Sequence, residues 1–200
     1  MRIANENNAA VFCGQVKDDP FFDHALFEES FYGFTLAVPR LSGVIDELPV
    51  TFPGRLPVHP QAGERIAIIG QLRSYKKQTE NGNRLLVTVF AKEIDPSNGE
   101  PENRVELTGF LCKPVVFRTT PFMREISDLL VAVNRPYGKS DYLPCIAWGR
   151  NAHFARDIPV GASIRITGRL QSRTYIKTFP NGISFERVAY EVSCSTIELP

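Results

Sequence analysis

Two stretches of the chain, IDELPVTFPGRL (45–56) and SDYLPCIAWGRN (140–151), repeat Asp, Leu, Pro, Gly and Arg in register at a spacing of 95 residues. Gly14 and Gly109, each inside an apolar run, keep that spacing, as do LAVPR (36–40) and VAVNR (131–135). The offset then grows to 98, where GERIAIIGQL (63–72) parallels GASIRITGRL (161–170). It reaches 100 at Tyr75 and Tyr175 and at Asn81-Gly82 and Asn181-Gly182. An offset that grows in small steps records loop insertions between equivalent elements, so the chain is a duplication of one domain of about 100 residues. The stretch IDPSNGEPEN (94–103) is rich in Pro, Gly and acids and has no apolar residue after Ile94 to dock. Domains over residues 1–95 and 104–200, joined by a linker at 96–103, are expected.

The dominant hydrophobic period is two. In SIRITGRL, Ile164 and Ile166 alternate with Arg165 and Thr167, the pattern of a strand with one buried face. LLVTVFAKEI (85–94) and RVAYEVSCSTIEL (187–199) are rich in β-branched and aromatic residues. The two Asn-Gly pairs lie between such runs, where hairpin tips belong. NAHFARDI (151–158) reads as a short helix, whereas its counterpart LPVHPQAG (56–63) holds two prolines and reads as a loop. Five strands with a short helix between the third and fourth predict an all-β protein of two tandem OB-folds, small Greek-key barrels that commonly bind nucleic acid. The repeated Asp-Leu-Pro frame would build the same barrel strand twice and leave it by the same Gly-Arg turn.

Along 142–148, Tyr142, Pro144, Ile146 and Trp148 share one face, and Leu143, Cys145 and Ala147 share the other. The second set suits a barrel interior. The first would present a Tyr and the chain's single Trp, beside Arg150, as a platform on which bases stack. Packing of these rings against a loop or a second subunit is the alternative. In the next strand Arg165, Arg169, Arg173, Tyr175 and Lys177 fall on odd positions, a stripe that would track phosphates if Gly168 hosts no bulge. A solvated edge guarded by cations is the other reading of that stripe. Repeat one keeps a shorter version in Arg65, Arg73, Tyr75 and Lys77. At the positions of Tyr142 and Trp148, however, it has Glu47 and Pro53.

Charge divides unevenly. Residues 1–100 hold 10 Lys/Arg against 13 Asp/Glu, and residues 101–200 hold 13 against 9. The second half therefore suits a polyanionic partner better. The four cysteines form no C-x-x-C pair and read as buried reduced thiols rather than metal ligands. GKS at 138–140 lacks the upstream glycine of a phosphate-binding loop, since Val133 stands there. His24, His59 and His153 adjoin no nucleophile motif. No enzyme, cofactor or metal is expected. No run is long and apolar enough for a membrane span, and MRIANENNAAVFCG has no apolar leader core, so a cytoplasmic protein is expected.

VELTGFL (105–111), FRTTPF (117–122), LLVAVNRPY (129–137), DYLPCIAWGRNA (141–152) and GASIRITGRLQSRTY (161–175), in that order, resemble the bacterial single-stranded DNA-binding (SSB) family and together span nearly all of 104–198. The resemblance implies an OB-fold that binds single-stranded DNA without sequence preference, in replication, recombination and repair. It implies base stacking by Tyr142, Trp148 and Tyr175, with the more variable Tyr137 beside them. It also implies phosphate contact or groove shaping by Arg118, Arg135, Arg150, Arg169 and Arg173, with Arg124 and Lys139 nearby. Members with two OB domains per chain dimerise, so a homodimer presenting four OB-folds is implied.

Two departures qualify the resemblance. The sequence ends at STIELP, directly after the last strand, so recruitment of repair enzymes through an acidic tail is not expected. Repeat one resembles the family weakly, and its insert KDDPFFDHALFEES (17–30) places Asp18, Asp19, Asp23, Glu28 and Glu29 where they would repel phosphates. Domain one is thus expected to be a degenerate copy that builds the dimer, binds a protein, or touches DNA weakly through Arg73, Tyr75 and Lys77. The competing function is that of a protein-interaction adaptor whose OB faces are covered by protein.

Overall fold

The computed structural model describes residues 7–79, 82–178, 182 and 184–200. The N-terminal repeat runs β1 (Asn8–Val16), β2 (Phe21–Leu26), β3 (Glu29–Pro39), β4 (Ile45–Pro53), β5 (Arg65–Thr79) and β6 (Gly82–Pro96). The second runs β7 (Glu102–Leu111), β8 (Val116–Thr119), β9 (Glu125–Asn134), β10 (Ser140–Trp148), α1 (Arg150–Arg156), β11 (Ser163–Thr178) and β12 (Ser184–Glu198). Each repeat is a five-stranded barrel with one added edge strand, β2 or β8, folded back onto the strand that follows. The barrels close through β3–β1 and β7–β9 pairings and each contain one parallel pair, β4–β6 and β10–β12.

Glycines 95 apart sit at the two closures. A Cβ on Gly14 would lie 2.5 Å from the Ala37 carbonyl oxygen, and one on Gly109 would lie 2.5 Å from that of Ala132. Only a residue without a side chain lets β1 and β7 bend across β3 and β9 this closely.

All strands join one 12-stranded sheet because β1 pairs with β7 antiparallel. Ala10 faces Val105, its own counterpart 95 residues on, so a local two-fold runs through this pair. The repeats thus associate inside one chain as two identical subunits would about an isologous interface. The segment between β6 and β7 docks through polar groups rather than lying free. Ser97 N–H donates to the Arg65 carbonyl (3.0 Å), and Arg65 Nε donates to the Gly99 carbonyl (2.8 Å).

Each barrel has its own filling. Phe12, Phe34, Phe52, Leu36, Leu48 and Leu72 pack the first; Leu107, Leu111, Ile126 and Leu143 pack the second, all fully buried. Helix α1 spans 150–156 and closes the second barrel with buried Ala152 and Ala155. In repeat one the prolines of 56–63 exclude a helix, and Leu56, Val58 and His59 take that place, with His59 edge-on to Phe52 at 5.8 Å. The repeated strands β4 and β10 match residue for residue, but their exits differ. Gly149 adopts φ +53° at the start of α1, whereas Gly54 lies against the Tyr32 ring.

Candidate nucleic-acid interface

Strand β10 alternates as its sequence requires. Leu143, Cys145 and Ala147 are buried, while Tyr142 is 42% and Trp148 37% exposed. Ile146, between the two rings on the outward face, is buried, so the platform is interrupted rather than continuous. Tyr175 is half-buried on the β11–β12 hairpin, with the Arg173 guanidinium 5.5 Å from its ring centroid and Arg173 Nε 3.5 Å from Glu191. The β11 parity holds past Gly168, because the irregularity lies at Ser195 on the partner strand β12, between the Thr167–Thr196 and Gly168–Cys194 pairs. Arg124, Lys139, Arg150, Arg165 and Arg173 are exposed. Arg118 is also exposed but pairs with Asp128 at 2.7 Å. Arg169 is half-buried and donates to Gln171 Oε1 (3.3 Å). The side chains of Tyr137 and Lys177, and the hairpin tips at Asn81 and Asn181, lie outside the described residues.

Arg135 is half-buried at the seam between the repeats. It forms a two-pronged ion pair with Asp141, which is fully buried, and Arg73 of repeat one reaches the same carboxylate at 3.3 Å. Asp141 Oδ1 accepts the Ser74 backbone N–H (2.6 Å), and the Tyr142 N–H donates to Ser74 Oγ (2.7 Å). Tyr142 therefore stands on the seam between the repeats. Across the seam Asp46 accepts the Ser172 N–H (3.0 Å) and pairs with Arg40. The Arg84 guanidinium adds a 2.5 Å bond to the Val188 carbonyl.

Repeat one contributes a groove of 770 Å³ beside this seam, between the β2–β3 hairpin and the β5–β6 arm. Phe31, Phe90 and Tyr75 line it, with Arg73, Lys76, Lys77 and, at the seam end, Arg135. His24 stacks on Phe31 at 4.7 Å and 10°, and the Arg73 guanidinium lies 5.5 Å from the Phe90 centroid. The acids of the insert are largely engaged. Asp18 accepts the Thr35 N–H (2.7 Å), Asp19 the Ala62 N–H (2.9 Å), and Glu29 pairs with Arg55. Asp23 lies 3.0 Å from His24 and borders the groove. Asp18, Asp19 and Glu29 thus tie the insert to the barrel, while Asp23 stays on the groove rim.

Residues 102–200 match the model of the single-strand binding protein family. The second repeat belongs to that family. Over 80 residues the chain is 31% identical to the single-stranded DNA-binding protein of Halalkalibacterium halodurans, covering 36% of this chain and 48% of that one. It is 34% identical over 80 residues to single-stranded DNA-binding protein 2 of Streptococcus pyogenes, covering 36% and 49%. The chain thus spans about half the length of the curated relatives it matches. In fold it is similar to the wild-type single-stranded DNA binding protein from Thermus aquaticus, with a TM-score of 0.77 at 23% identity over 96% of this chain and 92% of that one. The likeness to that SSB structure takes in both repeats, so repeat one has the OB-fold although its sequence departs from the SSB pattern.

Tyr75 and Tyr175, paired by the sequence repeat, are not equivalent in the fold. Ser74 and Ser172 occupy equivalent places, each giving its N–H to the other repeat's aspartate, so the offset of 98 persists into the β5–β6 and β11–β12 arms. Tyr75 then corresponds to Arg173, and Tyr175 to Lys77, one pleat nearer the hairpin tip. Sequence reasoning missed Phe31, Phe90 and His24 as groove residues. Phe90 was in view, because Val87, Val89 and Ala91 are buried and leave it on the opposite face of β6. Phe31 and His24 meet only through the β2–β3 pairing. Among the described residues no cluster of His, Cys, Asp or Glu could hold a metal, and no helix is long and apolar enough to cross a membrane.

Proposed function

We propose that the protein binds single-stranded DNA without sequence preference, by stacking bases on exposed rings and neutralising phosphates with the cations beside them. The observation that carries this reading is the outward placement of Trp148 and Tyr142 on β10 of the SSB-family repeat, at 37% and 42% exposure. Large rings left half in water on a barrel strand are available to a π-faced ligand, and every base supplies one. Tyr175, backed by Arg173, adds a third ring, and Arg150, Arg124 and Lys139 supply exposed charge. Tyr137 and Lys177 are further candidates by their place in the sequence alone. Arg135 and Arg73 shape the seam instead of meeting phosphate freely. Because Tyr142 adjoins Ser74, the strand's path continues from repeat two into the repeat-one groove, over Tyr75, Lys76 and Lys77.

The reading is non-enzymatic. It places the protein on replication, recombination or repair intermediates in the cytoplasm, as a homodimer of four OB-folds. Quenching of Trp148 fluorescence by oligo-dT, weakening steeply between low and moderate salt, is the expected result. A chain that folds but shows no fluorescence response at either salt would refute DNA binding and favour the protein-adaptor reading.

A further inference from the structure

The segments GQLRSY (70–75) and GRLQSR (168–173) occupy the same place in the two barrels, but Arg and Gln exchange positions within them. In both, the arginine donates to the glutamine two residues away, at 2.6 Å for Arg73 to Gln71 and 3.3 Å for Arg169 to Gln171. The exchange moves one guanidinium by a full pleat. Arg73 stands at the seam and joins Arg135 on Asp141. On the opposite side Gln171 holds that place and turns to Glu191 (2.9 Å), while Asp46 pairs with Arg40.

Arg169 is consequently left outside the seam's ion pairing. It lines a cleft of 500 Å³ between the repeats, with Val38, Pro39, Leu41 and Arg40 from the first. Its Nε is shielded from solvent and has no hydrogen-bond partner among the described residues. Both oxygens of Asp46 are occupied, Oδ2 by Arg40 Nε (2.7 Å) and Oδ1 by Arg40 Nη2 (2.5 Å) and the Ser172 N–H (3.0 Å). Two guanidinium groups against one fully engaged carboxylate leave a net positive cleft with apolar walls.

We infer that this inter-repeat cleft is a phosphate site. The planar guanidinium fork matches phosphate oxygens, and the shielding of the Arg169 Nε from water beside buried Val38 strengthens the attraction. Its walls come from both repeats, so neither barrel alone forms it. A phosphodiester of the bound strand or a free phosphate compound would satisfy the same chemistry. The strand source rests on the single-stranded DNA reading above.

The test uses the full chain with Arg169→Gln, and in parallel R169Q/Q171R, which restores repeat one's order. Oligo-dT affinity is read from Trp148 fluorescence across salt, and thermal stability is read with and without pyrophosphate. A strand phosphate in the cleft makes the log–log salt slope shallower by about 0.7 in both variants, with affinity at low salt reduced several-fold. A free phosphate compound leaves that slope unchanged, and pyrophosphate raises the Tm of the native chain but not of either variant. An unchanged slope together with no pyrophosphate response in the native chain overturns the proposal. Absence of any oligo-dT response in the native chain refutes the DNA reading alone, and the pyrophosphate measurement still decides the cleft.

Discussion

Asp46 and Asp141, 95 residues apart, make the same contact in opposite directions across the seam. Each is buried, at 1% and 0% exposure, and pairs with an arginine six residues upstream, Arg40 or Arg135. Each accepts a backbone N–H from the other repeat, Ser172 or Ser74. The two-fold through Ala10 and Val105 is thus written into side chains as well as strands.

The two aspartates are not equal in cost. Asp141→Ala leaves Arg135 and Arg73 without their shared anion in a largely buried seam, and should destabilise by about 3–5 kcal/mol, a fall in Tm on the order of 10 °C. Asp46→Ala orphans Arg40 and should cost less. Urea denaturation of both variants checks this; equal midpoints would show that the second arginine does not matter.

Trp148→Ala and Tyr175→Ala should each weaken oligo-dT binding by about 1–3 kcal/mol without loss of fold. Anisotropy of a labelled oligonucleotide measures the first, where fluorescence of the tryptophan is lost. Native affinity in both variants would remove stacking from the mechanism.

The repeat-one groove should matter only to strands long enough to reach it. Tyr75→Ala combined with Lys77→Gln is expected to reduce affinity for a long oligo-dT roughly tenfold while leaving a strand short enough for one OB-fold, about 4–16 nucleotides, unaffected. Equal affinity for the long strand would return repeat one to a purely structural role.

The cysteine chemistry has a pH signature. Hydrogen bonding with Cys194, together with burial, pushes the Cys145 thiol well above its ordinary value, and burial raises Cys112 as well. The unfolded thiols ionise from about pH 8.5 while the folded ones stay protonated, so stability is full below that pH and declines as pH rises above it. Alkylation followed by mass spectrometry at pH 8.5 should therefore spare Cys145 in the native chain and modify it in denaturant. Rapid native labelling at Cys145 would contradict the buried thiol.

Much of the platform was legible because strand parity is local. The alternation around Leu143, Cys145 and Ala147 alone places Tyr142 and Trp148 outward, and the closing glycines are marked by their spacing of 95. Arg135 shows where such reading stops. Its neighbour Asp141 recurs in both repeats, yet a carboxylate six residues away along a chain does not say that it is buried. Nor does it say that an arginine of the other repeat shares it.

The sequence by itself determined the duplication, the strand periodicity, the short helix in one copy and its exclusion by prolines in the other. These follow from local sterics and from patterns of burial that repeat along the chain. Only the tertiary structure decided what the copies do to each other. Pairing β1 with β7 brings Asp141 beneath Ser74, Asp46 beneath Ser172, and the transposed Arg169 to an inter-repeat cleft. It also showed that repeat one did not lose its aromatics. Glu47 and Pro53 stand on β4 where β10 carries two rings, and Phe31 and Phe90 line a groove from β3 and β6 instead. Their proximity comes from hydrogen-bonded strands far apart in the chain, which no spacing along the sequence encodes.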